Sequence, residues 1–198
     1  MPPSTLCFFD LPYEFLHEQI IPLLCIVSLS KFDAAVCAHQ NRPHFLKSMH
    51  GTQVSINACK SFTQILALRW MKSRGMLARD FNAMFNKKLL TWLNKQKLLP
   101  QFKKLKSLYV GKKCGTRIAF GAISDSISDG SLVDLSAAGK QCNDYPLGAL
   151  IARQRTIETF CIHRTSNTDD LLSYIAAHCP ALEKLWIKDC QYITLMGD

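Results

Sequence analysis

Between residues 105 and 187 the chain writes one apolar string four times: Leu105, Leu108 and Val110; Leu132, Leu135 and Ala137; Ile157, Phe160 and Ile162; Leu182, Leu185 and Ile187. Each copy has the form apolar-x-x-apolar-x-apolar, and successive copies start 27, 25 and 25 residues apart. One such string is too short to bury itself, but a stack of them forms a core. Each copy therefore reads as a short strand whose inward side chains build a layer, with a helix or turn returning across the layer's other side. The fold class this implies is α/β with parallel strands.

Strand side chains alternate between faces. The residues between the apolar ones then fall into columns on the opposite face: Tyr109, Ser136, Cys161 and Trp186; Ser107, Asp134, Thr159 and Lys184; Gly111, Ala138, His163 and Lys188. From these the candidate target-binding residues are Tyr109, Asp134, Ser136, Thr159, His163, Lys184, Trp186 and Lys188. Tyr109 and Trp186 are the candidate anchors, because an exposed aromatic ring buries a large area at little entropic cost. The plainer reading of both is packing against a terminal loop, which for Trp186 would shield an open edge.

The first hundred residues read differently. Phe15, Leu16, Ile20 and Leu24 recur near helical spacing, with Pro22 expected to break or end that helix. Ser30, with Asp33 three residues on, is expected to cap a second helix carrying Leu29, Phe32 and Val36 on one side. Phe45, Leu46 and Met49 resume the pattern before Gly51. Residues 61–74 read as a helix with Phe62, Ile65, Leu66 and Trp70 packing and Gly75 as its stop. Residues 84–99 read as a basic amphipathic helix ended by Pro100.

The last copy of the string carries the most specific signal. Leu171, Leu172 and Ile175 form a helical stripe, followed by Cys179-Pro180-Ala181-Leu182-Glu183-Lys184-Leu185-Trp186-Ile187-Lys188-Asp189-Cys190-Gln191-Tyr192-Ile193-Thr194. This resembles the cysteine-containing leucine-rich repeat, with its Cys-Pro-x-Leu-x-x-Leu-x-Ile-x-x-Cys-x-x-Ile-Thr run. The resemblance is strong over 171–194 and fades towards 105, where Lys113, Lys140 and Thr165 replace Cys190. It implies a packing role for Cys190 beneath the strand turn. Such repeats are common in F-box/leucine-rich-repeat proteins, and Leu11-Pro12-x-Glu14-Phe15-Leu16, continued to Leu24 and Val36-Cys37, resembles an F-box. The departures are Pro22, the spacing to Val36-Cys37 and the missing tryptophan after that pair.

The resemblance implies an F-box-like helical region over 8–50, a helical linker or N-terminal cap over 51–100, and a short irregular leucine-rich-repeat solenoid over 101–198. It further implies that Leu11, Pro12, Phe15, Leu16 and Ile20 dock on a Skp-type adaptor of a ubiquitin ligase of the SCF type while the repeats hold a protein target. The alternatives are a repeat module unconnected with ubiquitin, its first hundred residues serving as a cap, and a basic binder of nucleic acid or anionic membrane.

That last alternative rests on charge. The chain of 198 residues has net charge +9, but residues 61–124 hold fourteen Lys and Arg against one acid, Asp80, while 125–198 hold six against ten. The candidate basic patch is Lys87, Lys88, Lys95, Lys97, Lys103, Lys104, Lys106, Lys112 and Lys113. Such a block attracts phosphates, an anionic membrane or an acidic protein in a salt-dependent way; its plainer reading is a solvated helix face.

Other classes find little support. The nine cysteines are odd in number and include no Cys-x-x-Cys pair, so they read as reduced thiols. Cys37, His39, His44 and His50 come nearest to a metal cluster, but read more simply as loop and helix-end residues. No phosphate-binding, nucleophile-elbow, zinc-helix or dinucleotide motif is present, and a non-enzyme without cofactor is expected. The longest apolar stretch, 20–29, is about half a membrane span, and acids rather than bases precede it, so neither a transmembrane segment nor a signal peptide is read there. The expected location is cytoplasmic or nuclear.

Overall fold

A computed structural model describes residues 11–36, 42–56, 61–83, 93, 95–111, 117–140, 142 and 144–194. The chain enters through α1 (Tyr13–Phe15), which runs into a π-helical turn, Leu16–Ile20, and a 3₁₀ turn, Ile21–Leu23. The π turn changes which side chains share a face. The Ile21 N–H donates to the Leu16 carbonyl five residues back, so Leu16 and Ile21 are both wholly buried while Ile20 stays half-exposed. Pro22 sits in the first turn of the 3₁₀ segment, and Leu24 and Cys25 are extended, with ψ of 137° and 156°.

That extended pair lets α2 (Ile26–Ala35) start four residues before the expected cap. Ser30 is consequently inside the helix, donating to the Val27 carbonyl at 2.9 Å, and does not cap it. Asp33 serves as a buried hub instead. Its carboxylate accepts from Trp70 Nε1 at 3.1 Å and from Arg74 Nη2 at 2.7 Å, with Arg42 Nη2 at 3.3 Å. In α3 (Arg42–Met49) Phe45 and Met49 are buried as their spacing predicts, and Phe32 meets the Phe45 ring edge-on at 5.1 Å.

Six strands follow: β1 (Gln53–Ser55), β2 (Leu77–Ala83), β3 (Ser107–Val110), β4 (Asp134–Ala138), β5 (Thr159–His163) and β6 (Lys184–Lys188). They form one sheet, all parallel, in the order of the sequence. Residues 51–100 are thus not a helical linker alone, because β1, α4 (Ser61–Ser73) and β2 lie there. The two extra strands were hidden by weak apolar signals. Phe81 pairs with Leu108 and Ala83 with Val110, so β2 matches the string with alanines at two of three positions, and its middle carries Asp80.

The apolar strings lie side by side in register. Leu108, Leu135, Phe160 and Leu185 are aligned partners, as are Val110, Ala137, Ile162 and Ile187. Between the strands run α5 (Arg117–Ser126), α6 (Asp144–Ile151) and α7 (Asp169–His178). Crossovers between parallel strands are right-handed almost without exception, so strands added in sequential order keep every connection on one face. Burial agrees. Leu108, Val110, Leu135, Ala137, Phe160 and Ile162 are buried, whereas Ser107, Tyr109, Ser136, Thr159, Cys161 and His163 on the other face are half-exposed.

In α4 the buried side is Ala67, Leu68 and Met71, with Trp70 half-buried and Leu66 exposed. The helix ends as expected: Gly75 has φ +66°, and a Cβ there would collide with the His50 ring. The expected basic helix over 84–99 lies largely outside the described residues; within it Leu93 and Leu98 are buried.

The two ends of the sheet differ. At β1 the Ile21–Leu23 turn packs on the strand, and His17 Nδ1 lies 2.8 Å from the Ser48 carbonyl and 3.0 Å from Thr52 Oγ1. At β6 Leu185 is 41% and Trp186 63% exposed.

Candidate functional site

The open face of the sheet is built by strand register. Asp80, Ser107, Asp134, Thr159 and Lys184 are successive partners along one row; Tyr109, Ser136, Cys161 and Trp186 along the next; Ala138, His163 and Lys188 along the third. All eight residues expected to bind a target therefore come together on one surface. Adjacent strands lie about 4.8 Å apart, so Tyr109 and Trp186, three strands apart, stand about 14 Å from each other across Ser136 and Cys161.

The rows are ordered by contacts between neighbouring strands. Asp80, 7% exposed, accepts from Ser55 Oγ at 2.9 Å and from the Ile56 N–H at 3.0 Å. Asp134 is exposed and accepts from Ser107 Oγ at 2.9 Å. Asp80 is also ion-paired with Arg79 at 3.6 Å, so the exposed charge of the face runs from acidic at Asp134 to basic at Lys184 and Lys188. At the strand ends, Asp189 accepts from Arg164 Nε at 3.1 Å and lies 3.2 Å from His163 Nε2. The Arg164 hydrogen bond, then that of His163, holds the Asp189 carboxyl below its ordinary range. His163 is thus tied to Asp189. Arg164 and Asp189 both take φ of 53°, and Gly139, 25 residues before Arg164, takes 102°; the chain leaves β4, β5 and β6 by the same left-handed step.

Cys190 is half-buried, with Thr165 Oγ1 at 3.3 Å from its sulfur, in a packing position. Among the described residues no group of three or more His, Cys, Asp or Glu could hold a metal ion; Cys37 and His39 lie outside them. No helix among them is long and apolar enough to cross a membrane.

The residues resembling an F-box are divided. Leu16 is wholly buried and packs in the core. Phe15 is 45% exposed, Pro12 is exposed, and Leu11 and Ile20 are intermediate. Leu23 and Val27, which the sequence did not single out, are 82% and 44% exposed. Of the basic candidates, Lys95, Lys97, Lys103, Lys104 and Lys106 are exposed, while Lys87, Lys88, Lys112 and Lys113 lie outside the described residues.

Sequence reasoning also missed the polar side chains that stitch one strand-helix unit to the next. Gln154, wholly buried, accepts from the Ser131 and Leu132 N–H groups at 2.9 and 3.0 Å and donates to the Ser128 carbonyl at 3.0 Å. Asp144 accepts from Thr168 Oγ1 at 2.7 Å, and Asp169, 25 residues on, accepts from the Thr194 N–H at 3.0 Å. Spacing was the available signal: Gln154 stands 25 residues before Cys179. The chain matches no protein-family model, no curated protein and no solved structure.

Proposed function

We propose that the chain is a protein-binding module of the leucine-rich-repeat kind, acting by contact and not by catalysis, with its open sheet face as the site for a protein target. The observation that supports this is the one-sided sheet: six sequential parallel strands with buried apolar rows on one face and rows of polar and aromatic side chains on the other. A surface of that kind offers two aromatic anchors, small residues between them and a graded charge, which suits recognition of a folded segment more than chemistry on a small molecule.

Affinity capture comparing the wild-type chain with Tyr109→Ala/Trp186→Ala, and with Leu66→Ala at an exposed position of α4 as control, tests the site. Loss of the bound protein by about tenfold in the double variant alone is the expected result; equal capture by all three removes the face as the site.

A second reading is favoured by the exposure of Phe15, Leu23 and Val27: docking of the N-terminal helices on a Skp-type adaptor, which would make the chain a substrate-recognition subunit of an SCF-type ubiquitin ligase. Co-expression should then yield a complex that Leu23→Glu dissolves. If no complex forms where a known F-box forms one, the helices serve only as the cap on β1. The basic reading makes a different forecast, namely steeply salt-dependent binding to nucleic acid or anionic vesicles that charge reversal at Lys103, Lys104 and Lys106 abolishes.

A further inference from the structure

On the helix-covered side, away from the open sheet face, α6 and α7 border an open surface cleft of about 480 Å³. It is lined by Asp144, Tyr145, Asp170, Ser173, Tyr174, Ala177 and His178. Two features make it more than a gap between helices. The first is a fixed aromatic wall. A Cβ on Gly148 of α6 would stand 3.3 Å from Tyr174 Cγ and Cδ2, so the Tyr174 ring packs closely over the glycine. The His178 ring runs alongside, near-parallel at 22° but displaced, with its centroid 6.2 Å away. Tyr174 is 44% and Tyr145 65% exposed, so both offer surface to a ligand.

The second feature is charge. Two carboxylates and no Lys or Arg line the cleft. Asp144 is engaged by Asn167 at 2.9 Å and by Thr168 at 2.7 Å, and so serves as a fixed negative wall. Asp170 is exposed at the start of α7, and its carboxylate makes no hydrogen bond or ion pair among the described residues. Tyrosine faces attract cations, and a carboxylate presents two oxygens to a planar guanidinium.

We propose that this cleft binds the side chain of an arginine carried by a partner protein, the guanidinium stacking on Tyr174 and pairing with Asp170. Arginine fits better than lysine because its planar head stacks on a ring and engages a carboxylate through two parallel N–H bonds, whereas an ammonium is a compact, strongly hydrated charge. The inference does not rest on the open face, which lies across the sheet, and each can fail without the other.

Ring resonances of ¹³C-tyrosine-labelled full chain, titrated with acetyl-Gly-Arg-Gly-amide, test it. Saturable shifts of Tyr145 and Tyr174 are expected, with the citrulline tripeptide, equal in shape and uncharged, at least tenfold weaker and the lysine tripeptide at least threefold weaker. Asp170→Asn, at an exposed position, should raise the half-saturating concentration at least fivefold, while Glu183→Gln should leave it unchanged. Gly148→Ala keeps every charge but presses a methyl group against the Tyr174 ring, and should weaken binding without altering the amide spectrum beyond α6 and α7. Absence of saturable shifts, equal response to citrulline, or a response to lysine equal to that of arginine and erased by moderate salt would each overturn the proposal.

Discussion

Gln154 illustrates how much one side chain holds at the residue scale. Its amide satisfies two backbone N–H groups and one carbonyl of the preceding unit while wholly buried. Leucine there would fill the space and leave all three groups without partners, so Gln154→Leu is expected to cost about 2–4 kcal/mol, read as a lowered urea midpoint. Cys142 makes a different forecast. Burial pushes its thiol up from 9.0 to about 11. The folded chain therefore keeps a proton that the unfolded chain releases first, so the contribution is complete below pH 9 and is lost as pH rises from 9 to 11. About 2–3 kcal/mol should disappear over that window, and Cys142→Ala should flatten this part of the stability profile against pH. Neither residue announced itself in the sequence: a buried glutamine is chemically no different from an exposed one until its neighbours are known. Asp33 was visible but misassigned, because a carboxylate three residues after a serine fits a local cap as well as it fits distant Arg74 and Trp70.

Element by element, legibility followed the strength of the apolar signal. The strings at β3 to β6 and the stripe of Leu171 and Ile175 in α7 were readable because large aliphatic residues mark the buried positions. In β2, alanine at 78 and 83 and a buried Asp80 erase the contrast, and three-residue β1 is too short to show a period. The N-terminal helix misled by one residue, since a π turn moves the buried face from Ile20 to Ile21 and a regular spacing has no means of foretelling it. Chain reversals were more transparent. Gly75 ends α4 with positive φ against the His50 ring, and Gly75→Ala combines backbone strain with a steric clash. A loss of about 1–3 kcal/mol is expected, and His50→Ala in the same chain should recover only the steric share; denaturant unfolding of the single and double variants measures both.

For the whole molecule, the two ends of the sheet predict a gradient of local stability. β3, β4 and β5 are each paired on both sides, with their inward rows buried, whereas among the described residues β6 is paired on one side and exposes Leu185. Hydrogen exchange should be slowest in β3 to β5 and faster in β6 by at least tenfold; protection of β6 equal to that of β4 would contradict this view. The parallel class was legible in the sequence, as was the identity of the face that carries Tyr109 and Trp186, because both follow from period and alternation. A capping role for the N-terminal region was also among the readings, but the contacts that make the cap and the helix-side cleft were not legible, since they join segments with no shared pattern. One consequence of sequential pairing concerns distance. Because every strand touches only its immediate predecessor and successor, losing or gaining one unit of about 25 residues between β3 and β6 would move Tyr109 and Trp186 closer or farther by a single interstrand step while leaving their own surroundings alone. The separation of the two rings is thus adjustable only in increments, like the notches of a ruler, and a partner fitted to one setting would be refused by the next.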